Sequence, residues 1–72
     1  MSGPRLTSNE RRAMNDLVEA VEALMLDYDA EAVGRIADYV GECGTPSDNA
    51  DVDGVVVECL RVVVDAMVRL GR

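Results

Sequence analysis

The stretch Val52–Leu70, VDGVVVECLRVVVDAMVRL, constrains the fold of this chain more than any other. It is rich in Val, a residue that favours strands. Its charges exclude a strand. Glu58, Arg61, Asp65, Arg69 and Arg72 are spaced 3, 4, 4 and 3. That spacing gathers them on one narrow strip of a helix and would scatter them over both faces of a strand. The apolar positions Val52, Val55, Val56, Cys59, Leu60, Val63, Ala66, Met67 and Leu70 also repeat at 3 and 4. The stretch reads as a long helix, apolar over most of its circumference.

Such a helix carries an intrinsic cost. Eight Val residues lie between positions 52 and 68. Each is worse than Ala in a helix by roughly 0.5 kcal/mol, on the order of 4 kcal/mol for the run. A fully buried Val contributes roughly 1.5 kcal/mol or more. Most of these Val residues are therefore expected to be buried in something.

The rest of the chain supplies little to bury them in. It has 72 residues, no Phe, no Trp, and only Tyr28 and Tyr39 as aromatics. One domain of this size buries only about 60% of its unfolded surface. Small domains of this kind lean on a disulfide, a metal or oligomerisation.

Residues 1–6 contain Gly3 and Pro4 and are expected to form a short flexible arm, followed by a single helical domain over 7–72. Thr7-Ser8-Asn9-Glu10 fits a capping box, so a first helix is expected near 8–26. Its apolar stripe is Met14, Leu17, Val18, Val21, Leu24, Met25 and Tyr28, and Leu26 points off it. Asp is a poor interior residue and a good N-cap, so Asp27-Tyr28-Asp29 predicts a break. A single helix running through this point is the competing reading, because neither Gly nor Pro interrupts it. A second helix is expected near 30–42, with Val33, Ile36, Ala37 and Val40 as its stripe and Gly41 or Gly44 as its terminator. Gly34 falls on its polar side and suggests a close contact. Cys43–Asn49 is the one clear loop. Thr45 and Pro46 could open the third helix, but Gly54 favours a later start, giving a helix near 51–70. The fold class is all-α, a small three-helix bundle.

Projection of the third helix at 100° per residue separates two apolar zones. Val52, Val55, Val56, Cys59, Val63, Ala66 and Leu70 form the first, expected to pack on the other helices. Val57, Leu60, Val64, Met67 and Val68 form the second, for which two single-striped neighbours leave little cover. The second zone is expected to be a protein interface, and the bundle a dimer through this helix. The competing reading makes the third helix central, with its neighbours wrapping both zones.

Chemical sites are poorly supported. Asn49, Asp51, Asp53 and Gly54 match the start of an EF-hand calcium loop, but its twelfth position, a bidentate Glu, is Leu60 here. Two Cys without a His do not make a zinc site. Cys43 and Cys59 sit too far apart along an antiparallel hairpin to pair, so both are expected as reduced thiols, with Cys59 a small buried hydrophobe. With no His, no nucleophile motif and no phosphate-binding loop, no enzymatic activity and no cofactor are expected.

The formal net charge is −7, from 14 acidic residues against seven Arg. Residues 1–12 carry three Arg and one Glu, a net +2, and the remainder carries −9. Arg5, Arg11 and Arg12 form the only basic cluster, and the bulk of the chain repels nucleic acid and anionic membranes. No apolar run of about 18 residues is present to span a membrane, and nothing marks the chain for secretion, so a cytoplasmic protein is expected. The expected function is a non-enzymatic protein–protein interaction module, a homodimer that binds or regulates a partner protein. The alternative is an acidic inhibitor, in which Asp16, Glu19, Glu22, Glu31 and Asp38 mimic phosphates and block a nucleic-acid-binding machine, as small phage-encoded anti-defence proteins can do.

Overall fold

The computed structural model describes residues 5–71 and contains three helices: α1 (Ser8–Asp27), α2 (Ala30–Cys43) and α3 (Ala50–Arg69). No strand occurs among the described residues. Most of the expected arm, Met1–Pro4, lies outside them, as does Arg72.

Local chemistry sets each boundary. Thr7 accepts the amide of Glu10, and the Glu10 carboxylate accepts the amide of Thr7, a complete capping box. α1 ends where Tyr28 turns extended, at φ −131° and ψ 153°. Asp29 then caps α2, its carboxylate accepting the Ala32 amide at 2.8 Å. The break expected at Asp27–Asp29 is therefore present. Gly44 ends α2 at φ +80°, a conformation that suits glycine. Asn49 caps α3, with Oδ1 accepting the amides of Asp51 at 2.9 Å and Val52 at 3.4 Å. The later of the two starts considered for the third helix is the one adopted. Replacing this cap should cost about 1 kcal/mol. Asn49→Ala is expected to lower the unfolding free energy by that amount, read as a lower urea midpoint with an unchanged slope.

α2 and α3 form the close antiparallel pair, and α1 reaches α3 only near its own C-terminal end. The core comprises Val33, Ala37 and Val40 from α2 with Leu60, Val63 and Met67 from α3. Val21, Leu24 and Met25 of α1 pack on its edge, together with half-buried Val56, Val57 and Val64. No residue of α1 is itself fully buried.

The core face of α3 lies between the two expected zones: Val63 of the first is buried, beside Leu60 and Met67 of the second. Leu60 is 6% exposed and Met67 0%, so these two are core residues of the single chain and are absent from its surface. Val57 and Val64 are half-buried beside them. Of the proposed interface set only Val68, 63% exposed, stands clear. Val52, Val55, Cys59 and Leu70, assigned to the core, are exposed instead. The reason is side-chain size. Leu60 and Met67 offer more apolar area than the Val residues around them, and burying them gains more. Small Ala37 on the facing helix sits with them in the core. Of the eight Val residues in α3 only Val63 is buried.

Candidate interaction surface

α1 and α3 each have 20 residues and α2 has 14. At 1.5 Å per residue the long helices run about 30 Å and the short one about 21 Å. α1 packs on the α2–α3 pair only through its C-terminal part, and two apolar strips are left uncovered.

The first is on α1. Its stripe divides along its length. Val21, Leu24 and Met25 reach the core. Met14, Leu17 and Val18, on the same face one to two turns earlier, are exposed, Leu17 to 61%. Ala13 and Ala20 flank this free segment and add no bulk. The second strip runs down the outer side of α3 through Val55, Cys59, Val62 and Leu70, with Val62 69% exposed. Its steps of 4, 3 and 8 keep one helical face.

Cys59 belongs to this outer strip and is exposed, contrary to its expected burial; Cys43 is exposed as well, and both are free thiols.

The charged residues are distributed without a common focus. Asp16, Glu19, Glu22, Glu31 and Asp38 are all exposed. Glu31 is engaged by Arg35 at 3.1 Å, one helical turn away. Asp38 lines a groove between α2 and α3 with Gly34, Arg61, Val64, Asp65 and Val68. A Cβ added at Gly34 would meet nothing within 4 Å, so the close contact suggested for it is not made. Within the charged strip of α3, the ion pair formed among the described residues is Asp65–Arg69 at 3.1 Å.

The acidic loop has a structural occupation that the sequence concealed. Asn49 is a helix cap, and half-buried Asp53 serves the loop rather than an ion. Asp53 Oδ1 accepts from the Thr45 amide at 2.9 Å and from the Thr45 hydroxyl. Thr45 Oγ1 also meets Ser47 Oγ at 2.7 Å. Sequence spacing alone placed Asp53 in a calcium pattern, and only the packed α2–α3 turn brings it to Thr45. Among the described residues, no three His, Cys, Asp or Glu side chains converge on a point that would hold a metal ion.

No helix among the described residues is long and apolar enough to cross a membrane. No family model, curated protein or solved structure matches this chain.

Proposed function

We propose that this protein is a non-enzymatic protein–protein interaction module, and that the free stripe of α1 is its contact surface. The observation that carries the reading is the state of α1. This helix is amphipathic and capped, yet none of its residues is fully buried. Amphipathic helices in proteins draw most of their stability from packing their apolar face. A protein partner that covers Met14, Leu17 and Val18 supplies the missing packing. Exposed apolar patches on small domains mark such contacts.

The acidic-inhibitor reading makes a different demand on the same molecule. It draws on charge, so its binding weakens steeply with salt, whereas an apolar contact persists. The test is capture from native cell extract by the immobilised full chain, with the chain's own untagged copy included among the possible partners. The expected result is a protein that stays bound at high salt and is lost from Leu17→Asp. A partner released by salt and still held by Leu17→Asp would overturn the reading in favour of the acidic faces of α1 and α2.

A further inference from the structure

The occupant of the α1 stripe follows from three properties of the chain. The first is its surface. The accessible area is 5761 Å² for a chain of 7.8 kDa. A compact monomer of that mass exposes about 4,400 Å². The excess of about 1,400 Å² is more than the roughly 800 Å² that each partner buries in a standard protein interface. The second is its extent. The Cα radius of gyration is 14.3 Å. A compact domain of this length has about 11 Å. Both values describe a chain more open than a compact monomer of its length, with surface to spare for an interface.

The third property is the charge pattern of α1. At 100° per residue, Arg11 and Glu22 fall within about 20° of each other, on the flank beside Val18. Neither is engaged in the ion pairs that the described residues form within the chain. Two copies of α1 packed in parallel would keep Arg11 of one about 16 Å along the axis from Glu22 of the other, so neither is paired. Packed antiparallel about position 16, the midpoint of the free stripe, the pattern becomes complementary. Met14 then lies level with Val18 of the second copy, and Leu17 within about 2 Å along the axis of its Met14. Arg11 lies level with the second copy's Val21, within about 2 Å along the axis of its Glu22. The two-fold axis repeats each pairing.

Resting on the reading of α1 as a contact surface, we propose that its occupant is a second copy of this chain, docked through an antiparallel α1–α1 seam flanked by two Arg11–Glu22 pairs. The isologous arrangement uses the same patch twice and closes.

Sedimentation equilibrium of the full chain tests this directly. The wild type is expected at twice the chain mass, and Leu17→Asp at the single-chain mass with its helical content largely kept. Arg11→Glu and Glu22→Arg, at exposed positions that do not touch the core, are each expected to raise the dissociation constant about tenfold. Combining the two changes in one chain should restore dimerisation, because the pairs reform with their signs exchanged. A wild type that stays at single-chain mass overturns the second copy. Stripe-dependent capture of another protein would then leave the interaction reading standing, and its absence would remove both. A dimer insensitive to Leu17→Asp overturns the α1 seam. A dimer that loses nothing on Arg11→Glu, or is not restored by the double change, overturns the antiparallel register.

Discussion

Met67→Asp is expected to leave the chain unfolded at every concentration. Met67 and Val33 are the two largest fully buried side chains, at the centre of a core of six residues. Domains carry roughly 0.05–0.15 kcal/mol of stability per residue, about 4–11 kcal/mol for a chain of this length. An unpaired carboxylate in an apolar interior costs several kcal/mol, and the lost packing of the Met side chain adds to it. The sum is on the scale of the whole stability. Met67→Ala isolates the packing part and should cost about 2–5 kcal/mol. Val62→Asp is the control, since the same charge at an exposed position on the same helix leaves the fold in place. Far-UV circular dichroism with urea titration reads all three. A cooperative transition in Met67→Asp close to that of the wild type would mean that α3 buries a different face.

Gly44→Ala is expected to be the most damaging single-methyl change in the protein. Gly44 has φ +80° and ψ −177°, a region open essentially to glycine alone. The added Cβ would also stand 2.7 Å from Asp53 Oδ2. Strained backbone of this kind costs about 1–3 kcal/mol. Moving Asp53 aside endangers its two bonds from Thr45, and hydrogen bonds to a charged group are each worth about 1.5–3 kcal/mol. The strain with the loss of one of these bonds gives a total of about 2.5–6 kcal/mol. The clash and the strain separate in a double-mutant cycle. In an Asp53→Ala background the Cβ no longer meets a carboxylate, so Gly44→Ala should cost less there than in the wild type. Additive effects would show that the two positions do not touch. Gly41→Ala is the matched control. Gly41 lies inside α2 with nothing within 4 Å of an added Cβ, and the change should stabilise by about 0.5–1 kcal/mol.

The boundaries of the three helices were legible in the sequence because they depend on neighbours along the chain. Thr7 and Glu10 are three residues apart, as are Asp29 and Ala32, and Asn49 caps amides two and three residues ahead. Side chain and backbone meet at such separations whatever the rest of the molecule does. The 3–4 spacing of charges fixed α3 as a helix for the same reason. In the folded chain these caps hold the break at Asp27–Asp29 and the start of α3 after Asn49.

The face that α3 buries was a different kind of question. Apolar residues cover most of its circumference, so periodicity allowed two solutions related by a rotation about the helix axis. Packing against Val33, Ala37 and Val40 chose the one that buries Leu60 and Met67. Asp53 shows the same division. Its place in a run of acidic residues suggested an ion, while its partner Thr45 is eight residues back, across a turn that exists only once α2 and α3 have packed. Sequence determines this protein wherever a few adjacent residues close the energetics among themselves. Where several faces satisfy the same pattern, the tertiary structure decides, because apolar burial has no direction of its own and goes to whichever large side chains the neighbouring helix can reach.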